Sequence, residues 1–469
     1  MGDHQMKVAK FGGSSVANAT QIKKVANIIK SDPSRKVIVV SAPGKRFSDD
    51  VKVTDLLIDL CYAKQNNQDY EQHLQRILER FQEIINDLEL GNDILEDIQQ
   101  TIEKYLQFDT SPLGQLDALK SIGEDSSAKI VSAYLQRLGL NASYVNPKEA
   151  GIFVSNEPGQ AQLLPESFSI IYQLRERDGV SVVPGFFGYS KENDLVTFSR
   201  GGSDITGAIL AAGTKASLYE NFTDVDSVFA VNPNFVENPK DITVLTYKEM
   251  RELSYAGFSV FHDEALIPAF KEQIPVCIKN TNNPDAPGTM VVAERDATDQ
   301  CVVGIASDVG FCSLYVSKFL MNREVGFGRK LLNIFEDEGI SFEHAPSGID
   351  DMSVIFRDHR FTPDKEQVVI DRIRNELHVD TVSIHRDLAV IMVVGEGLVN
   401  TVGVAAKATA SFAKAGINID MINQGSSEVS MMFGVHAVDL ERAIQSLYKE
   451  FFTEDESNLK FPSVSAKGH

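Results

Sequence analysis

A repeat in the last third of the sequence restricts the possible folds more than any other feature. Two copies of one unit follow each other at a constant spacing of 77 residues, without a gap. This spacing aligns Gly326 with Gly403, Lys330 with Lys407, Phe335 with Phe412, Gly339 with Gly416, and Gly348 with Gly425. In each copy the apolar pattern predicts a strand, a glycine-containing loop, a helix, two strands joined by a turn, and a second helix. This βαββαβ order predicts a small antiparallel sheet with helices on one face.

The preceding part of the chain, to about residue 290, alternates strands with helices. Strands are predicted over residues 7–11, 36–41, 142–145, 180–186, 194–198, 216–222 and 275–278. The run at 36–41 is almost entirely apolar, as in strands that are covered on both faces of a parallel sheet. An α/β sandwich with a mainly parallel sheet is therefore predicted here. The helices predicted over 54–107 resemble an inserted layer, and we see no chemistry in them.

Composition narrows the classes of function. The 469 residues are 43% hydrophobic and 24% charged, which excludes a disordered chain, and the net charge of −21 disfavours nucleic acid and anionic membranes as partners. The four cysteines form no CxxC pair, so neither a metal site nor a redox site is predicted. Neither a bilayer-spanning apolar run nor a signal-peptide core is present, and a cytoplasmic protein is expected.

The first candidate for chemistry is the segment Lys10–Ser15, which reads KFGGSS. A strand delivers a lysine, two glycines let the backbone approach a ligand, and a serine is expected to cap the following helix. Backbone N–H groups at a helix start favour a phosphate, and Lys10 adds a positive charge. The alternative is a plain strand-to-helix turn with a solvated lysine.

The second candidate, 198–204, repeats this arrangement as FSRGGSD. Arg200 can bind a carboxylate with two parallel hydrogen bonds, and Asp204 can orient a lysine or a reacting group. Asp204 could instead be only a helix cap. The two motifs together favour a function over coincidence.

Two further acidic positions are candidates. Asp224 follows an apolar strand, and the carboxyl ends of parallel strands are where ligands bind in open α/β sheets. A surface turn is the alternative there. Glu124 is expected to begin a helix, where it could bind an ammonium group. Alternatively, it is an ordinary acidic residue that interacts favourably with the helix dipole.

The same motifs, in the same order, resemble those of the aspartokinases. They are KFGGSS, SAPG at 41–44, IGED at 122–125, PGFFG at 184–188, SRGGSD at 199–204, FTDVD at 222–226 and IKNTNNP at 278–284. The resemblance covers essentially the whole chain, because the repeats are similar to the paired ACT domains of these enzymes. The runs FGRKLL and PSGIDDMS are similar to the Gram-positive monofunctional type that lysine inhibits, sometimes with threonine.

The resemblance implies transfer of a phosphoryl group from MgATP to the β-carboxylate of L-aspartate. Lys10 and Asp204 would be catalytic, with Lys10 neutralising charge on the transferring group. The residues that would bind aspartate are Ser41, Thr54, Glu124 (amino group), Phe186, Arg200 (α-carboxylate) and Ser203. Those that would bind the nucleotide are Gly12, Gly13, Ser14, Thr223, Asp224, Phe229 and Lys279. Many relatives have Tyr, Asp and Arg where this chain has Phe229, Asn232 and Asn234, so Lys279 is the preferred nucleotide cation.

The resemblance also implies domain bounds and a regulatory site. The catalytic domain would span 1–295, the first ACT domain 312–386, and the second 302–311 plus 387–455, followed by a polar tail at 456–469. ACT units pair between subunits, which implies a homodimer or homotetramer that binds lysine or threonine. The expected effector contacts are Met321, Asn322, Gly326, Phe327, Ser341 and Glu343, with core packing as the alternative for Met321 and Phe327.

Two other functions remain open. Another amino-acid or carbamate kinase of the same fold would differ in its acceptor. An inactive sensor would bind an amino acid on its ACT units without binding ATP.

Overall fold

The computed structural model describes residues 5–199, 201–258, 265–297, 300–425 and 429–453. The described chain divides into two compact units. The first contains the residues up to Val228, Asp241–Arg251 and the described part of 259–295. The second contains Phe229–Lys240, Glu252–Phe258 and the chain from Asp296 onward. The predicted polar tail at 456–469 lies outside the described residues.

An eight-stranded sheet organises the first unit. The strands of the first 295 residues are β1 (Lys7–Phe11), β2 (Arg35–Val40), β3 (Ala142–Tyr144), β4 (Val180–Pro184), β5 (Phe187–Tyr189), β6 (Leu195–Thr197), β7 (Leu218–Thr223), β8 (Val228–Phe229), β9 (Asp241–Ile242), β10 (Val244–Thr246), β11 (Val276–Asn280) and β12 (Thr289–Val292). The sheet order is β10-β12-β11-β7-β1-β2-β4-β3, and every neighbouring pair is parallel except β11 with β12. The predicted mainly parallel α/β sheet is confirmed.

Helices cover both faces of this sheet. They are α1 (Ala19–Ser31), α2 (Val53–Gln65), α3 (Glu71–Asp87), α4 (Asp93–Leu106), α5 (Pro112–Arg137), α6 (Ser167–Ile171), α7 (Gly202–Gly213), α8 (Tyr247–Tyr255) and α9 (Ile267–Lys271). On one face, Phe11 of β1, Ile38 of β2 and Phe222 of β7 pack in one apolar core with α1 to α5. The opposite face of β1 and β2 contacts α7. Because side chains alternate along a strand, Lys10 points to the face opposite to that of Phe11.

Two sequence expectations about helix starts are wrong. The residues after the first glycine pair form a short 3-10 helix, and α1 starts later, with the side chain of Asn18 accepting a hydrogen bond from the Gln21 N–H at 3.0 Å. No serine caps this helix. Glu124 does not begin a helix but lies in the middle of α5, which starts at Pro112 behind the N-cap Ser111.

The repeated units form one six-stranded antiparallel sheet with the order β14-β15-β13-β16-β18-β17. The strands are β13 (Gly304–Ser317), β14 (Phe342–His344), β15 (Asp351–Arg357), β16 (Thr381–Val394), β17 (Met421–Asn423) and β18 (Ser430–His436), and the helices are α10 (Phe327–Asp337), α11 (Pro363–Leu377), α12 (Val404–Lys414) and α13 (Leu440–Tyr448). Helices α10 and α11 pack in one apolar core, and α12 and α13 in another. The repeat appears in the backbone as well, since Gly326 and Gly403 cap α10 and α12 with φ angles of 81° and 91°.

The domain boundaries drawn from the sequence stay predictions, and two features of the described chain bear on them. The predicted bounds at 311/312 and 386/387 fall inside β13 and β16, which are each continuous over 14 residues. The segments 229–240 and 252–258, assigned above to the catalytic domain, belong to the second unit. The cause is local packing, because Val231 joins the apolar core of Val302 and Ile305, and the Ile305 N–H donates to the Ala230 carbonyl at 2.7 Å.

Within the described residues, we find no helix with the length and apolar character required to span a membrane.

Candidate active site

Both glycine motifs contribute residues to a common cavity of about 420 Å³ in the first unit, the first motif only through Lys10. Its lining comes from β1, α2, α5 and α7 and from the loops that follow β2, β3, β4 and β6. The lining residues are Lys10, Ser41, Thr54, Ile58, Lys120, Glu124, Gly159, Phe186, Phe198, Ser199, Gly201, Gly202, Ser203 and Asp204. The cavity thus contains both predicted catalytic residues and five of the six predicted aspartate-binding residues. The sixth, Arg200, lies outside the described residues.

An ion pair between Lys10 and Asp204 lies at the centre of this group. Lys10 Nζ is 2.6 Å from Asp204 Oδ1, and both side chains are largely buried. Asn221, which pairs with Lys10 across β1 and β7, donates from Nδ2 to the same carboxylate oxygen at 2.7 Å. Asp204 is therefore more than a helix cap. The cap position of α7 is occupied by Gly201.

The first glycine turn packs backbone to backbone against the loop 41–44. The Gly44 N–H donates to the Gly13 carbonyl at 2.9 Å, and the Gly12 N–H donates to the Phe222 carbonyl at 3.0 Å. A Cβ on Gly13 would lie 3.0 Å from the Ala42 carbonyl oxygen, so glycine is needed for this approach. The turn also contacts β11's end, since the Ser15 hydroxyl is 2.6 Å from that of Thr281.

The second glycine turn is shaped by a left-handed backbone and by an aromatic ring. Gly201 has a φ of 74°, which favours glycine. A Cβ on Gly202 would lie 2.5 Å from the ring of Phe186. Phe186 itself has a φ of 79°, and its N–H donates to Thr206 Oγ1 at 3.0 Å while its carbonyl accepts from the Phe198 N–H at 2.8 Å. These bonds hold the ring in a fixed place beside the cavity.

Glu124 presents a buried carboxylate to the cavity. The residue is 5% exposed, and its Oε2 has no hydrogen-bond partner among the described residues. Burial raises the pKa of this carboxyl to about 8, although backbone N–H groups at Ala42 and at Glu124 itself, and the charge of Lys120, favour the ionised form. A carboxylate in this position can bind a cation that enters from the cavity.

The sequence analysis missed two basic residues, one that lines the cavity and one that supports the loops around the first glycine turn. Lys120 lies one turn before Glu124 on α5. Residues four positions apart on a helix share a face, so a helix that continues through Glu124 would have predicted that Lys120 faces the same side. Arg80 of α3, only 4% exposed, donates to the Gly44 carbonyl at 2.6 Å, to the Ala17 carbonyl at 3.3 Å and to Asp50 at 2.6 Å. The helical layer thus supports the loops around the first glycine turn, and no local sequence signal announced this contact.

The predicted nucleotide residues are not all brought together. Thr223 and Asp224 end β7, and the Thr223 carbonyl accepts from the Thr281 N–H at 2.9 Å. Lys279 pairs with Phe222, whereas Lys10 pairs with Asn221 one position earlier, so the two lysines face opposite sides of the sheet. Lys279 lines a second cavity of about 780 Å³ with residues of α1, among them Lys24. Phe229 is the half-buried last residue of β8.

The predicted effector residues lie around α10. Met321 and Phe327 belong to the apolar core of α10 and α11, as the core-packing alternative describes. Gly326 caps α10, and the exposed Asn322 donates its backbone N–H to the Ile349 carbonyl at 3.1 Å.

The remaining two effector candidates carry polar contacts near β14. The Ser341 hydroxyl accepts from Arg360 at 3.0 Å. Glu343 accepts a hydrogen bond from the Tyr255 hydroxyl and lies 3.7 Å from the Arg357 guanidinium.

Comparisons with known proteins match both units. The sequence profile of the amino acid kinase family matches residues 5–280, and that of the ACT domain matches residues 391–451. Aspartokinase 3 of Bacillus subtilis is 57% identical over 448 residues, covering 95% of this chain and 99% of the relative. The chloroplastic aspartokinase 1 of Arabidopsis thaliana is 28% identical over 458 residues, covering 95% of this chain and 80% of the relative.

Solved structures agree with this. The crystal structure of Clostridium acetobutylicum aspartate kinase, described as an allosteric enzyme, superposes with a TM-score of 0.85 at 38% identity, covering 95% of this chain and all of that one. Aspartokinase III of Escherichia coli, solved with aspartate and ADP, shares the fold with a TM-score of 0.74 at 24% identity, covering 95% of this chain and 100% of that one.

Proposed function

Because this chain belongs to the aspartokinases of the amino acid kinase family, we propose that it transfers the γ-phosphoryl group of MgATP to the β-carboxylate of L-aspartate. The product is 4-phospho-L-aspartate, which would enter the biosynthesis of lysine, threonine and methionine. Feedback inhibition by lysine, threonine or both is part of the proposal. A cytoplasmic location, as the sequence analysis expects, is part of it too.

The observation that carries the proposal is the Lys10–Asp204 ion pair in the same cavity as Glu124, whose Oε2 has no hydrogen-bond partner among the described residues. Phosphoryl transfer needs positioned reactants and stabilisation of charge on the transferring group. Lys10 supplies a buried positive charge, and Asp204 fixes its place. The acceptor carboxylate is already ionised at neutral pH, so no general base is needed.

The acceptor amino acid would lie between α5 and the second glycine turn. Glu124 would bind its ammonium group, Arg200 its α-carboxylate, and Ser41, Thr54, Phe186 and Ser203 would shape the pocket. An ammonium group satisfies the free oxygen of Glu124 and favours its ionised form.

The nucleotide phosphates would lie at the first glycine turn. Backbone N–H groups of Gly13 and Ser14, together with Lys10, would surround them, and Gly12 would let the phosphates approach the backbone, since its own N–H is bound to the Phe222 carbonyl. Thr223, Asp224, Phe229 and Lys279 are the further proposed nucleotide contacts. Mg²⁺ would be held mainly by the phosphates, since it keeps most of its water ligands in kinase sites.

The effector would bind to the ACT units. Asn322, Ser341 and Glu343 offer polar groups for an amino acid, while Met321, Gly326 and Phe327 would fix the shape of the loop that carries them. A homodimer or homotetramer formed through these units is proposed.

An assay with hydroxylamine tests the reaction directly. Incubation of the protein with ATP, Mg²⁺ and L-aspartate should yield aspartyl hydroxamate, with glutamate and N-acetylglutamate as comparison acceptors. Formation of hydroxamate from another acceptor but not from aspartate would identify a different kinase. Calorimetric binding of lysine or threonine without binding of ATP would identify a sensor instead.

Inhibition is measured in the same assay. Lysine and threonine are titrated separately and together, and an activity that neither amino acid lowers contradicts the regulatory part of the proposal.

A further inference from the structure

Lys120 is a cation of the candidate active site to which the function proposed above gives no role. Its side chain is 14% exposed and lines the same cavity as Lys10, Glu124 and Asp204. The ammonium group lies 3.0 Å from Asp117 Oδ1 and 3.1 Å from Thr197 Oγ1. It also lies 5.4 Å from the centre of the Phe186 ring. A charge held at three points in a cavity is positioned, not merely solvated.

Asp117 is itself immobilised. The residue is 2% exposed, and its carboxylate accepts hydrogen bonds from the Gly159 N–H at 2.8 Å, from the Thr197 N–H at 2.9 Å and from the Thr197 hydroxyl at 2.8 Å. These bonds satisfy a buried charge that would otherwise be costly. They also fix the place of Lys120, because the carboxylate that holds it cannot turn.

Lys120 and Glu124 are not paired with each other. Opposite charges four residues apart on a helix commonly form an ion pair. Here no ion pair joins the two side chains among the described residues, since Lys120 is bound to Asp117 and Glu124 Oε2 has no partner. One face of α5 therefore presents a positive and a negative group, separately, to the cavity.

This separation matches an amino acid, which carries an ammonium group and carboxylates at a short distance from each other. A lysine ammonium has three N–H donors. Asp117 and Thr197 take two of them, which leaves one for a ligand in the cavity.

We propose that Lys120 binds a carboxylate group of the acceptor amino acid whose ammonium group lies on Glu124. The proposal rests on the acceptor pocket assigned under the proposed function.

Steady-state kinetics of Lys120→Met and Lys120→Arg test this role. Methionine keeps the length and apolar stem of lysine but removes the charge, whereas arginine keeps the charge. Lys120→Met should raise the KM for aspartate by about 10- to 100-fold, as expected for the loss of a charged hydrogen bond, and leave the KM for ATP within about twofold. Lys120→Arg should retain most of the affinity. Equal KM values for aspartate in wild type and Lys120→Met would overturn the proposal.

The pH profile tests whether the charge of Lys120 acts on Glu124 in the cavity. The charged groups described around the cavity are Lys10, Lys120, Glu124 and Asp204. Loss of the Lys120 charge removes an interaction that favours ionised Glu124. The acid limb of kcat/KM for aspartate should therefore move to higher pH in Lys120→Met and stay in place in Lys120→Arg. An unmoved limb in Lys120→Met contradicts the proposed placement.

A measurement on the wild-type protein covers the case in which the variant does not fold. Acylation of Lys120 by an amine reagent, followed by mass spectrometry, should slow in saturating L-aspartate. An unchanged rate would contradict the proposal. If the wild-type protein forms no hydroxamate, the proposed function itself is wrong. If the wild-type protein is active but aspartate does not protect Lys120, only the role proposed for Lys120 is wrong.

Discussion

The two glycine turns are alike in sequence but different in structure. In the first, a four-residue 3-10 helix follows Gly12, whose φ is −70°, and the α-helix starts only at Ala19. In the second, Gly201 has a φ of 74° and a 12-residue α-helix starts immediately behind it. Only the second turn therefore offers a helix dipole directly at the cavity. At the first turn the buried Lys10 is the main source of positive charge.

Glycine is required for different structural reasons in the two turns. Gly13 lets two loops approach each other, whereas Gly201 allows a left-handed backbone and Gly202 makes room for the Phe186 ring. Similar motifs can therefore bind anionic groups by different means. Five predictions test this contrast and the cavity between the turns.

The largest effect is expected at the ion pair that joins the turns. Lys10→Ala and Asp204→Ala should each lower kcat by on the order of 10²-fold or more, because interactions of the transition state are lost. Asp204→Asn keeps the shape of the side chain and is the matched control for charge. Unchanged turnover in either alanine variant would contradict the assigned roles.

Glu124→Gln tests the acceptor side of the cavity through pH. In wild type, kcat/KM for aspartate should fall as the pH falls through about 8, because Glu124 becomes protonated. The glutamine variant should bind aspartate about 10- to 100-fold more weakly and lose this acid limb.

The same substitution tests how the stability of the protein depends on pH. Activity should fall as the pH falls, whereas the free energy of unfolding should fall as the pH rises. The folded-state pKa of Glu124 lies above the ordinary value of 4.5, so wild type loses free energy of unfolding as the pH rises from about 4.5 to about 8. Urea denaturation at pH 6 and pH 9 should show a smaller loss for Glu124→Gln. Equal losses of free energy of unfolding in both proteins would mean that the pKa of Glu124 is not raised in the folded state.

Gly13→Ala and Gly12→Ala compare the two positions of the first turn. A Cβ at Gly13 meets the Ala42 carbonyl oxygen at 3.0 Å, whereas one at Gly12 lies 3.4 Å from Lys10 Nζ in ordinary contact. Gly13→Ala should lower the free energy of unfolding by about 1 to 3 kcal/mol and raise the KM for ATP. Gly12→Ala should have the smaller effect on stability. Equal effects would show that the approach of the two loops is not the constraint.

The smallest effect concerns the start of α1. Asn18→Ala should lower the free energy of unfolding by about 1 kcal/mol, since the N-cap hydrogen bond is lost, and leave kcat close to wild type. Ser14→Ala is the control, because it also truncates a polar side chain to alanine. It should leave the free energy of unfolding unchanged within about 0.5 kcal/mol. A larger loss for Ser14→Ala than for Asn18→Ala would indicate that the serine, and not Asn18, caps the helix.

The sequence predicted the parallel sheet and the cluster around Lys10, because apolar strands and motif order are local signals. Glu124 was misplaced at a helix start, whereas it lies in the middle of α5 and the preceding Gly123 is needed inside this helix. A Cβ there would lie 2.6 Å from Ala42 Cβ. The helix start at Ser111-Pro112 was readable, but the approach of a distant loop was not.

Other misses have the same origin in contacts between distant segments. Arg80 is 36 residues from the Gly44 carbonyl that it binds. The opposite facing of Lys10 and Lys279 depends on the register of β1, β7 and β11, which no motif specifies. Strand pairing and long-range packing decide these positions.

Strands β13 and β16 belong to both repeats at once, pairing from Gly304 with Val394 to Ser317 with Thr381, with register shifts on either side of Phe311. A cut between the copies would sever a strand and expose unpaired backbone on each side. Neither copy can therefore melt alone without fraying the other, and the duplicated region should unfold in a single cooperative step.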